Sequence, residues 1–111
     1  MSTDVLGVLR SLDREKLMER MATELPDIRR ELGVSQEDLS EKTGVAAAKL
    51  RAAENDKRSL RWSEFMAILF VIWNNDIGRG ILESKGLFPT ELKEALSVNK
   101  NAHAPETVAY D

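Results

Sequence analysis

Residues 35–54 read SQEDLSEKTGVAAAKLRAAE, and this stretch decides how the chain is built. Ser35 followed three residues later by Asp38 is an acidic form of the capping box, so a helix is predicted to begin at Gln36. Thr43-Gly44 ends it, because glycine accepts the left-handed conformation a sharp turn needs. A second short helix of high propensity follows over residues 46–54, with Leu50 and Ala53 on one side. The unit is therefore two short helices joined by a tight glycine turn, a helix-turn-helix arrangement. Ser40 is small where the helices would touch, Val45 fills the corner, and Leu39, Leu50 and Ala53 face a shared core. A generic corner between two bundle helices is the alternative.

Outward from this unit, apolar residues recur at helical spacing and no segment alternates as a strand would, which predicts an all-α protein. Residues 4–10 are expected to form a turn or two. With Ser11 as N-cap, a helix over residues 13–23 aligns Leu17, Met18 and Met21. Pro26 is expected to restart the chain as a separate helix over residues 26–32, with Ile28 and Leu32 inward and Gly33 closing it. Asn55-Asp56-Lys57 breaks the motif's second helix. Ten of the twelve residues 62–73 are apolar, too many for a stripe and too few to cross a bilayer. This is either the central core helix or one whose outer face meets a partner. Weaker helices are predicted over residues 77–85, where Gly78 and Gly80 interrupt, and 89–97, which carries Leu92, Ala95 and Leu96. The expected division is an N-terminal helical extension over residues 1–23, a helix-turn-helix domain over 24–98 and a flexible tail over 99–111.

The 111 residues support one small domain without disulfide or metal. With no cysteine and a single histidine, His103, an N/S metal site or a histidine-centred triad lacks partners, so no enzyme, metal or cofactor is expected. The carboxylate pairs Glu37 with Asp38 and Glu91 with Glu94 read as helix caps and solvated faces. The N-terminus lacks the basic and apolar regions of a signal peptide, so a cytoplasmic location, away from membranes, is expected. Net charge is −3, which argues against a phosphate-binding surface until it is divided along the chain. Residues 49–61 hold Lys49, Arg51, Lys57, Arg58 and Arg61 against Glu54 and Asp56, a local +3.

Residues 32–45, LGVSQEDLSEKTGV, with Ala53-Glu54 following, resemble the lambda-repressor-like, or Xre-type, helix-turn-helix family over about residues 25–73. The resemblance implies a bundle of about five helices, usually dimeric, that binds double-stranded DNA. It implies a phosphate-holding role for Gln36 at a helix N-terminus, and a structural pair between Arg29 and Glu54. In that family the motif's second helix reads bases. Here those positions fall on Ala46, Ala47, Ala48 and Ala52, none of which can hydrogen-bond through its side chain, so Lys49 or Arg51 would have to supply polar readout. Lys57, Arg58 and Arg61 are candidate phosphate contacts, with a solvated, solubilising loop as the plainer alternative.

Two readings stand on these residues. One is a dimeric transcriptional regulator that grips phosphates and reads shape. The other is a protein-interaction module that has kept the fold and weakened or lost DNA binding. The first is favoured because Gln36 and the basic cluster remain. A homodimer is expected because residues 62–73, with Ile77, Ile81, Leu82, Leu87 and Phe88, look like more apolar surface than one chain covers. Trp62 and Trp73 are expected to be core or interface anchors.

Overall fold

The computed structural model describes residues 13–98, all of whose regular structure is helical. In order these are α1 (Arg14–Leu32), α2 (Gln36–Thr43), α3 (Ala47–Glu54), α4 (Trp62–Trp73), α5 (Asp76–Ser84) and α6 (Thr90–Leu96). Residues 4–10, Ser11, His103 and the tail over 99–111 lie outside the described residues. Contacts group Asp13–Phe88 as one body, and α6 belongs to a second unit.

α1 departs from expectation. It is one helix of 19 residues with Pro26 in its interior. The break expected there does not occur, and the boundary drawn after residue 23 falls inside the helix. An interior proline costs about 3 kcal/mol through its missing N–H and its ring. Leu17, Met21, Leu25 and Ile28 form a continuous buried stripe through it, and each contributes on the order of 2 kcal/mol on burial. Packing outweighs the local penalty. Asp13 is the N-cap, its carboxylate accepting from the Lys16 N–H at 3.0 Å. Gly33, at φ 71°, closes the other end, with the Val34 N–H reaching back to the Arg29 carbonyl at 3.0 Å.

α1 packs on α3, α4 and α5, and α2 packs on α3 and α4. The centre is α4. Its Phe65, Ile68, Leu69 and Ile72 recur at i, i+3, i+4 and i+7 and are buried, while Phe70 on the opposite side is 67% exposed. Ile81, Leu82 and Leu87 are buried within the chain and Phe88 is half-buried against Trp73, edge to face at 4.9 Å. The single chain therefore covers most of the apolar surface expected to be in excess. Phe70 and Ile77 are what it leaves out on α4 and α5, Ile77 being 64% exposed.

The two tryptophans are half-buried anchors. Trp62 stacks on Phe65 at 5.0 Å and lies under the Arg14 guanidinium at 4.5 Å, tying the start of α4 to the start of α1. Trp73 has Arg79 over its ring at 5.8 Å, and Arg79 also donates to the Trp73 carbonyl at 2.9 Å.

α5 begins on Asn75, whose side chain accepts from the Gly78 N–H at 2.9 Å. Lys85 beyond its end pairs with Glu24 of α1 at 2.7 Å, and Arg20 of α1 donates to the carbonyls of Lys85 and Gly86. The hydrogen bond with Glu24 raises the Lys85 pKa above its ordinary value. No described helix is long and apolar enough to cross a membrane.

Candidate nucleic-acid interface

α2 and α3 are held by local chemistry at the turn. In the capping box, the Asp38 N–H donates to the Ser35 hydroxyl at 2.9 Å and the Ser35 N–H donates to the Asp38 carboxylate at 3.0 Å. Ser35, first through its backbone N–H, holds the Asp38 carboxyl below the usual carboxylate range. At the other end the Thr43 hydroxyl donates to the Leu39 carbonyl at 2.8 Å and accepts from the Val45 N–H at 3.1 Å. Gly44 makes the turn at φ 80°, and Val45 is buried in the corner. α3 then starts at Ala47, with Ala46 in the N-cap position and no side-chain cap.

Leu50 and Ala53 point α3 into the core. Its outer side carries Ala48, Arg51 and Asn55, all exposed, with Ala52 half-buried beside them. At the leading end Ala46 is exposed and Ala47 half-buried. The motif helix is therefore open to solvent.

Behind it runs a chain of hydrogen bonds. Arg29 grips Glu54 bidentately, Nε to Oε2 at 2.8 Å and Nη2 to Oε1 at 2.9 Å, with the side chains 18% and 6% exposed. The bond to Glu54 raises the Arg29 pKa further above its ordinary value, against the opposing effect of burial. Glu54 also accepts from the Gln36 amide at 2.9 Å, and the Gln36 carbonyl oxygen accepts from Arg51 at 3.2 Å. Four residues from three helices thus fix α1, α2 and α3 to one another. The Gln36 amide, a candidate phosphate holder, is part of this network, as is Arg51.

Lys49 is also engaged. Its Nζ lies 3.0 Å from Glu64 on the first turn of α4, with only 13% and 20% of the two side chains exposed. Burial alone would raise the Glu64 carboxyl, but the Arg61 N–H, at 2.7 Å, and Lys49 together bring it below its ordinary value. One charge of the local +3 is neutralised this way.

After α3, Asn55 caps the helix and Asp56 takes a left-handed conformation at φ 59°, which an aspartate tolerates. The Lys57 N–H closes back on the Ala52 carbonyl at 2.8 Å, and the chain leaves the helix at Lys57 and Arg58. Lys57, Arg58 and Arg61 are exposed and make no ion pair among the described residues. Arg58 and Arg61 border a shallow cleft of about 400 Å³ that reaches Gly44, Ala46 and Lys49. The chain matches no family model, no curated protein and no solved structure.

The arrangement is a solvent-open helix with exposed cations at its flank. Among the described residues no cluster of metal-ligating side chains occurs. The sequence offers Gln36, Lys49 and Arg51 as candidates but not the contact of Lys49 with Glu64, nor the bridge from Gln36 to Glu54 and Arg51. The partners lie 15 and 18 residues apart, and no local spacing signals either contact.

Proposed function

We propose that this protein binds double-stranded DNA through α2 and α3, without catalysing a reaction, as a transcriptional regulator of the lambda-repressor-like, Xre type. The observation that carries the reading is the solvent-open outer side of α3 lying beside the unpaired Lys57, Arg58 and Arg61. A helix free to enter the major groove and cations free to meet phosphates are the two components such binding needs. The hydrogen-bonded chain from Arg29 to Arg51 supports the reading, since it holds the groove-facing helix rigidly on the body. Action as a homodimer is part of the proposal, and the exposed Phe70 and Ile77 on α4 and α5 support it.

The test is binding to duplexes of mixed sequence over a series of salt concentrations. Binding that weakens linearly on a log–log salt plot is expected, and replacing Lys57, Arg58 and Arg61 together by alanine should flatten the slope by roughly 2.7, about 0.9 per phosphate contact. No salt-dependent binding by the wild type overturns the reading. The second reading, a protein-interaction module, is favoured by the same exposed Phe70 and Ile77. A specific protein complex sensitive to Phe70→Ser, in the absence of any DNA binding, is its expected result.

A further inference from the structure

We infer that Arg51 is the base-reading residue of α3 and that it reads a guanine in the major groove, an inference that rests on the DNA-binding reading above. The polar side chains of α3 are Lys49, Arg51 and Glu54, with Asn55 following. Lys49 is paired with Glu64 and Glu54 with Arg29, and no more than 20% of any of these four side chains is exposed. Pulling Lys49 to a base would strand the charge of Glu64. Asn55 lies past the last residue of the helix, whereas a recognition helix meets bases through its N-terminal part. Arg51 differs on each count. It is exposed on the second turn, it has no ion pair among the described residues, and one hydrogen bond holds its side chain there, from Nη1 to the Gln36 carbonyl oxygen at 3.2 Å. A guanidinium has five N–H donors in a planar fork, so most of them remain to donate. Its i−3 and i−4 neighbours, Ala48 and Ala47, carry no group that competes for them and no bulk that keeps the helix from a base edge.

Gln36 sets the direction of that fork. The Glu54 carboxylate, gripped by Arg29 at 2.8 and 2.9 Å, offers only acceptors, so Gln36 turns its amide NH2 toward it at 2.9 Å. The Gln36 carbonyl oxygen is thereby left facing Arg51. Flipping the amide would set two acceptors together at Glu54 and two donors together at Arg51. A half-buried pair thus orients an exposed guanidinium, and less side-chain freedom is lost when it meets a base. Guanine matches a fork of parallel N–H groups, because its N7 and O6 place two acceptors side by side on the major-groove edge. Adenine sets a donor beside its N7, thymine offers one acceptor and cytosine a donor. Arg51 is the reader and Gln36 a positioning residue, with phosphates met at the flank by Lys57, Arg58 and Arg61.

The experiment is selection from a pool of random-sequence duplexes at low salt, followed by affinities for the selected duplex and for two derivatives. In one, adenine replaces the selected guanine; in the other, 7-deazaguanine keeps the base pair but has C–H in place of the N7 acceptor. A guanine fixed at one position is expected, and its change to adenine should lower wild-type affinity about five- to 150-fold. The 7-deazaguanine duplex should fall between the two. Arg51→Ala should bind the guanine duplex more weakly and no longer distinguish it from the adenine duplex. Gln36→Leu should narrow the guanine-to-adenine ratio in the otherwise wild-type chain and leave it unchanged in the Arg51→Ala background, which a purely structural role for Gln36 would not produce. Equal wild-type affinity for the guanine and 7-deazaguanine duplexes overturns base reading while leaving DNA binding intact. So does an Arg51→Ala variant weakened by the same factor on both guanine and adenine duplexes, which would make Arg51 a phosphate contact. Failure of the wild type to bind the initial pool overturns the DNA-binding reading, and the assignment of Arg51 with it.

Discussion

Lys49 on α3 and Glu64 on α4 form a largely buried ion pair at 3.0 Å, so a lysine placed among candidate base readers instead joins two helices. Its consequence is measurable. Glu64→Gln keeps an oxygen to accept from the Arg61 N–H but removes the charge that holds Lys49. On the proposed DNA-binding reading, the freed ammonium adds a phosphate contact, and the salt dependence of duplex binding should steepen by about 0.9 on the log–log plot. An unchanged slope would show that Lys49 stays folded against the body without its partner.

Arg29 and Glu54 predict a stability asymmetry. Arg29→Met leaves Glu54, with 6% of its side chain exposed, relying on Gln36 alone. Removing one member of a buried pair costs about 3–5 kcal/mol, and the lower end is expected here because Arg29 retains some solvent access. The double replacement by methionine should recover most of that loss, since it removes the stranded charge. Urea unfolding of the three variants separates the outcomes: additive losses would mean that the pair contributes through packing alone.

Two glycines on one helix should respond oppositely. A Cβ at Gly78 would sit 2.1 Å from the Ile72 carbonyl oxygen, a backbone atom of α4, whereas a Cβ at Gly80 meets nothing within 4 Å. Gly78→Ala therefore forces α5 away from α4 and should cost about 1–3 kcal/mol or more. Gly80→Ala should stabilise by about 0.5–1 kcal/mol, through helix propensity alone. Thermal unfolding midpoints moving in the same direction for both would contradict this packing.

Acid should weaken the fold through Asp38 and Glu64. Both carboxyls are held below their ordinary values in the folded state. Between the unfolded and folded values the unfolded chain binds more protons, so stability rises with pH there. The contribution is complete above the unfolded carboxylate range, near about pH 4, and is lost as pH falls through the lower folded values. The urea midpoint is expected to hold from neutral pH down to about 5 and to drop below about 4. In Asp38→Asn the drop should be shallower, and an identical acid profile would remove Asp38 from the account.

Local chemistry accounts for what could be read in advance. The Ser35–Asp38 box, the turn at Gly44 and the cap at Gly33 each involve residues within four or five positions of one another, and the structure has all three. Residues 62–73 read as apolar all round, and only packing decides that Phe65, Ile68, Leu69 and Ile72 are buried while Phe70 is exposed. Pro26 is the instructive failure, because its local preference is to begin a helix and only the burial of residues on both sides keeps α1 whole. Gly78 was legible only as a weak point in a helix; its contact with Ile72 exists because α4 and α5 pack closely.

The amino-acid sequence by itself determined the all-helical class, the short pair α2 and α3 with its turn, and a basic cluster inside an acidic chain, because caps, periodicity and charge are properties of neighbouring residues. Tertiary structure alone decided which of those charges are free. Lys49 and Glu64, Gln36 and Glu54, and Arg51 and Gln36 are distant in sequence, and each contact forms only when folding brings their helices together. An ion pair or hydrogen bond acts over a few ångströms, so only the folded chain determines that the open side of α3 offers Arg51 while its flank offers Lys57, Arg58 and Arg61.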